Sequence, residues 1–98
     1  MKRVFSTHPE ALQDLDESLQ FYLSKDVVIA ADFVDAYDLN IELIKSYPES
    51  YPTVRATYRR KIMNRFPFSI VYTCSKTEIR ILAVAHHSRD PEFWINRS

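Results

Sequence analysis

Phe68-Ser69-Ile70-Val71-Tyr72-Thr73-Cys74, then Ser75-Lys76-Thr77, then Glu78-Ile79-Arg80-Ile81-Leu82-Ala83-Val84-Ala85-His86-His87 is the stretch on which the fold turns. β-Branched and aromatic residues crowd both runs, and the link between them is short and polar, so the pattern predicts adjacent antiparallel strands. Ahead of them Tyr58 to Met63 reads the same way, joined through Asn64 and Arg65. The expectation is a meander of three strands, Tyr58–Met63, Phe66–Cys74 and Glu78–His87. Alternation then sorts the two faces. Phe68, Ile70 and Tyr72 point one way, and Ser69, Val71 and Thr73 the other. In the last strand Ile79, Ile81, Ala83 and Ala85 share a face, opposite Glu78, Arg80, Leu82, Val84 and His86. With the first apolar sets covered, the open face carries Arg80 and His86, joined by Arg59, Lys61 and Met63 if Ile62 points inward.

The cover comes from upstream. Arg3 to Ser6 is a short strand candidate. Thr7 stands three residues before Glu10, as in a capping box, and Pro9 falls in the first helical turn where a missing N–H costs nothing. A helix is expected to about Ser24, with Leu12, Leu15, Leu19, Tyr22 and Leu23 as its apolar positions. A second is expected from about Val27 to Ser46, burying Ala30, Phe33, Ala36, Tyr37, Ile41 and Ile44. Lys25 and Asp26 leave only a tight link, which makes an antiparallel helical hairpin. Pro48 and Pro52 bound the following loop. The tail turns at Asp90-Pro91 and closes with a helical turn carrying Phe93 and Trp94. The fold class is α+β, in the order β-α-α-β-β-β, with a helical hairpin on a small, mainly antiparallel sheet in one domain, residues 1–98.

Composition narrows the function. The chain has 98 residues and no glycine, against about seven expected at average usage. Phosphate cradles of the P-loop and dinucleotide kinds need backbone that only glycine allows, so the usual nucleotide-cofactor enzymes are excluded. Glycine-free links must draw their turn chemistry from asparagine and serine, which favours links of three to five residues over two. A single cysteine, Cys74, forms no internal disulfide and no thiolate zinc site. No basic-then-apolar leader and no membrane-spanning run is present, so a reducing cytoplasm is the expected compartment. The net charge of zero hides a division. Residues 1–54 hold four basic and ten acidic side chains, and residues 55–98 hold nine and three. Such a split reads either as a basic surface facing an acidic polymer or partner, or as a small domain whose halves attract each other.

The candidate site residues follow. Arg55, Arg59, Arg60, Lys61, Arg65, Arg80, Arg89 and Arg97 form a cluster suited to phosphates or a carboxylate-rich partner, although strand arginines are commonly solvent-facing. His86 can serve as general acid or base, since imidazole titrates near neutrality; the plainer reading is a hydrogen-bonded histidine at a strand end. His86 and His87 face opposite sides of a regular strand, so no metal site is expected. Trp94 is either a stacking platform or a plug at the core's edge.

Three stretches together resemble the RelE/ParE superfamily of small bacterial toxins. They are Arg59-Arg60-Lys61-Ile62 with Arg65-Phe66-Pro67-Phe68-Ser69-Ile70-Val71-Tyr72, the tail His86-x-x-Arg89-x-Pro91-x-x-Trp94, and the helical Ala11-x-x-x-Leu15-x-Glu17 with Phe21-Tyr22. The resemblance covers essentially the whole chain. It implies a toxin of a type II toxin–antitoxin pair, with no cofactor, neutralised in a hetero-oligomer by a cognate antitoxin. In the RelE branch such toxins cut messenger RNA on the ribosome without a metal. The resemblance then gives Arg59, Lys61, Arg80 and His86 the catalytic roles, with Arg60, Arg65, Arg89, Trp94 and Arg97 as binding residues. In the ParE branch the target is DNA gyrase and the protein is not an enzyme. The tail has no tyrosine after Arg80, which tilts the resemblance to the ParE branch. A module that only binds its antitoxin is the third possibility.

Overall fold

A computed structural model describes residues 2–97. Seven elements follow in order: β1 (Val4–Thr7), α1 (Pro9–Leu23), α2 (Val27–Ser46), β2 (Thr53–Arg55), β3 (Tyr58–Ile62), β4 (Phe68–Cys74) and β5 (Glu78–His86). The strands form one sheet in the order β1-β5-β4-β3-β2. Only β1 runs parallel to its neighbour, with Phe5 opposite Ile79 and Thr7 opposite Ile81; the other pairings are antiparallel. The fold is therefore α+β with a mixed, mainly antiparallel sheet, as the sequence leads one to expect.

Local chemistry explains the helix boundaries. The cap of α1 is His8, not Thr7: its Nδ1 accepts from the Glu10 N–H at 3.0 Å, because Thr7 is still paired in β1. At α2 the Asp26 carboxylate accepts from the Val28 N–H at 2.8 Å. The buried stripe of α2 is as expected except that Ala36 is only half-buried and Asn40 joins it. That of α1 is rotated. Ala11 and Asp14 are buried, while Leu12 and Leu23 are exposed.

The hairpin lies on one face of the sheet. Phe33, Tyr37, Ile41 and Ile44 of α2 pack with Phe68, Ile70, Tyr72, Ile79, Ile81 and Val84 of the sheet. Tyr22, Phe33, Phe66 and Phe68 meet edge-on or tilted with ring centroids 5.1 to 6.3 Å apart. A smaller cluster sits on the opposite face, where Trp94 packs on Val71 and Ala83 with Tyr58 at its side.

Two features depart from expectation. Thr53–Arg55 forms an additional strand on the β3 edge, through the two-residue link Ala56-Thr57. Three exposed residues carry too little alternation to mark a strand. In the absence of glycine the chain places Ala56 at φ 49° and Arg65 at φ 72°, a region costly to any residue with a Cβ. The β3–β4 and β4–β5 links are five and three residues long. In the second, the Ser75 hydroxyl accepts from the N–H groups of Thr77 and Glu78. In the first, Arg65 rather than Asn64 takes the left-handed position. The tail is not a regular helical turn but a series of i→i−3 turns, with N–H groups of Phe93, Ile95 and Arg97 donating to Asp90, Glu92 and Trp94.

Candidate functional site

The faces of the sheet decide which side chains can act together, and one residue changes the sorting. Between Val71↔Ala83 and Tyr72↔Ile81 the register shifts, so Leu82 has no partner across the ladder. This β-bulge reverses the alternation of β5 beyond it. Arg80 pairs with Thr73 on the outer face, whereas Val84 and His86 pair with Ile70 and Phe68 on the helix face. Ala83 and Ala85 take the outer positions instead. The uninterrupted apolar run Ile81 to Ala85 conceals this, because it reads equally well in either phase.

On β3, Arg59 and Lys61 lie opposite Tyr72 and Ile70, on the helix side, and Arg60 and Ile62 lie opposite Val71 and Ser69, on the outer side. Ile62 is not inward. It is 54% exposed. Arg59, Lys61 and His86 are thus separated from Arg80 by the thickness of the sheet. Arg59 donates to the Tyr51 carbonyl at 2.6 Å and to that of Glu49 at 3.1 Å, tying down the loop after α2. Lys61 stands over the Tyr51 ring and donates to the Ile62 carbonyl. Arg80 donates to Ser6 Oγ on β1 at 3.0 Å. His86 meets the Phe68 ring edge-on, and its Nδ1 accepts from the Ser88 N–H at 3.0 Å.

The other basic candidates are mostly occupied as well. Arg55 pairs with Glu92, and Arg65 with Asp32. Arg89 lies over the Phe93 ring with a guanidinium nitrogen 3.6 Å from Asp14. Arg97 donates to Asp14 Oδ2 at 2.6 Å and to the Leu82 carbonyl at 3.0 Å. These pairs with Asp14 and Asp32 join the basic half to the acidic one, so the charge division is in good part internal. Among the described residues, Arg60 and Lys76 are the cations of the basic half whose side chains make no hydrogen bond, ion pair or ring contact. Trp94 is 3% exposed and plugs the outer cluster.

What remains open on the outer face is a groove of about 630 Å³ between β2, β3 and the tail. Ile62, Val71, Ala85 and Trp94 supply its apolar surface, and Arg55, Arg60 and Arg89 its cations. Sequence reasoning missed its most distinctive polar pair. His87 Nε2 and Ser69 Oγ are 2.9 Å apart at the groove wall, and the His87 N–H is fixed by the Pro67 carbonyl. A second pocket of about 320 Å³ lies between α1 and the end of β5, lined by Glu17, Phe21, Tyr22, Phe68 and His86. Among the described residues no group of three or more His, Cys, Asp or Glu is placed to hold a metal ion. No helix among them is long and apolar enough to cross a membrane.

A family profile described as the ParE toxin of the type II toxin–antitoxin system, parDE, matches residues 5–91. The chain belongs to the ParE toxin family. Its fold is similar to that of a solved chain from a chromosomal ParDE toxin–antitoxin system of P. aeruginosa, with a TM-score of 0.64 and 20% identity, covering 86% of this chain and 95% of that one. No curated protein sequence matches it. Within the ParE family match lie β5, its bulge and the groove wall up to Pro91; Trp94 and Arg97 lie beyond it.

Proposed function

We propose that this ParE-family toxin acts in the cytoplasm by inhibiting DNA gyrase, and that a cognate antitoxin neutralises it in a hetero-oligomer. The observation that carries the reading is the family match over residues 5–91. The similar solved chain comes from a ParDE toxin–antitoxin system, which supports an antitoxin partner. So does the surface of the hairpin. Phe21, Leu23, Val27 and Val28 crowd the α1–α2 turn, 43–68% exposed, and an apolar patch of that kind is commonly covered by a partner. The sheet geometry weighs against messenger cleavage by Arg59, Lys61, Arg80 and His86, the residues the resemblance implies, because a general base and phosphate-binding cations must converge on one scissile group. Here His86 faces the helices and Arg80 faces away.

Two assays with the purified protein separate the readings. In a gyrase supercoiling reaction the toxin is expected to block supercoiling, and adding the antitoxin restores it. In a translating extract the messenger stays intact. Cut messenger with normal supercoiling would replace the gyrase reading by the RelE one. Activity in neither assay would leave a module that only binds its antitoxin.

A further inference from the structure

The groove on the outer sheet face has a composition that says what fits it. Ile62, Ser69 and Ala85 form one cross-strand row on that face, and the first is among the most exposed large apolar side chains of the sheet. Trp94 closes the apolar floor from the tail side. The rim is cationic but sparsely so. Arg60 stands at it, its backbone N–H held by the Pro52 carbonyl but its guanidinium without a hydrogen bond or ion pair among the described residues. Arg55, also on the rim, is met by the carboxylate of Glu92. The chain's own Glu92 therefore displays the chemical group that this rim accepts.

Charge decides between two kinds of occupant. The lining carries three arginines (Arg55, Arg60, Arg89) against two carboxylates (Asp90, Glu92). A nucleic-acid backbone is held by neutralising several phosphates at once, and a surplus of one positive charge does not provide that. A polypeptide segment with one large apolar side chain and a flanking carboxylate matches both parts of the groove. The side chain would leave water against Ile62 and Ala85, and the carboxylate would meet the planar fork of Arg60. We propose that the groove is a docking site for an acidic–apolar segment of a partner polypeptide, with Arg60 its charge anchor and Ile62 its apolar contact. The groove lies on the face opposite the one that the helical hairpin covers, and its test reads peptide binding rather than supercoiling, so the proposal stands or falls separately from the gyrase reading.

Panning a displayed library of short random peptides against the purified protein, followed by fluorescence anisotropy of the selected peptides, tests it. The selected peptides are expected to place Asp or Glu beside Leu, Ile or Phe. Arg60→Glu and Ile62→Asp should each weaken their binding at least about tenfold, since like charges or a buried carboxylate then face the ligand. Lys76→Glu, an equal charge reversal outside the groove, should leave it unchanged, and thermal melts check that each variant is folded. Selection of no acidic–apolar pattern overturns the proposal, as does unchanged affinity in Arg60→Glu. A single-stranded oligonucleotide that displaces the selected peptides at physiological salt would overturn it in favour of nucleic acid. Self-association abolished by Arg60→Glu would overturn it in favour of a second copy of this chain.

Discussion

Asp14 is a buried carboxylate on which several polar contacts converge. It sits on the buried side of α1, 6% exposed, and accepts from Arg97 and from the Val84 N–H on β5, with Arg89 beside it. One carboxylate thus joins a helix, a strand and the tail. Removing one member of a buried ion pair leaves the other desolvated and uncompensated, which costs about 3–5 kcal/mol, whereas replacing both by apolar residues is often close to neutral. Asp14→Ala is accordingly expected to lose about 3–5 kcal/mol of unfolding free energy in urea titrations. Asp14→Leu combined with Arg97→Met should recover most of that loss. If the double variant is as unstable as the sum of the singles, the two residues do not act as a pair.

At the scale of elements, the tail after β5 is held by side chains rather than by a ladder. Its backbone bonds are local turns, and its position depends on Trp94 in the outer cluster and on Arg97 at Asp14. Trp94 is the only tryptophan, so its fluorescence reports where the tail lies. Arg97→Ala should shift the emission to longer wavelength at urea concentrations below those that unfold the helices, as followed by far-UV circular dichroism. Coincident transitions would show that the tail melts with the rest. The same distinction between ladder and side-chain order explains what was legible in the sequence. Both helices and the three meander strands rest on periodicity, and most of that survives in the structure within a residue or two; the parallel pairing of β1 with β5 carries no such mark. Faces were legible only until the bulge. Ile81-Leu82-Ala83-Val84 is apolar throughout, so no hydropathy pattern marks where the phase slips, and His86 and His87 exchange sides. Asp14 could be suspected from its place between Ala11 and Ser18 on one helical face, but its partner Arg97 is 83 residues away. No spacing rule reaches that far.

For the molecule as a whole, two buried tyrosines set an upper pH limit. Burial pushes the Tyr37 hydroxyl up to about 12, with the Asp38 carboxylate adding to the effect. Burial also raises Tyr72 to about 12, reinforced by Cys74, with Arg59 pulling the other way. Its O–H donates to the Pro48 carbonyl at 2.7 Å. In the unfolded chain both hydroxyls ionise near the ordinary value of 10.0. The folded state thus prefers their neutral forms. That stabilisation is fully present below pH 10 and is lost as the pH rises through about 12. The urea midpoint should fall across this window, and Tyr72→Phe should flatten the fall while costing about 1 kcal/mol at neutral pH for the lost hydrogen bond. A wild-type midpoint that stays level across the window would contradict the assignment. The left-handed residues Ala56 and Arg65 bear on stability from the other side of the equilibrium. Each carries a conformational cost in the folded state because the chain has no glycine to put there. The same lack stiffens the denatured ensemble, since every residue retains a Cβ that narrows its backbone freedom. Less disorder is surrendered on folding, and a domain of this small size gains from its unfolded chain some of what two awkward turns take away.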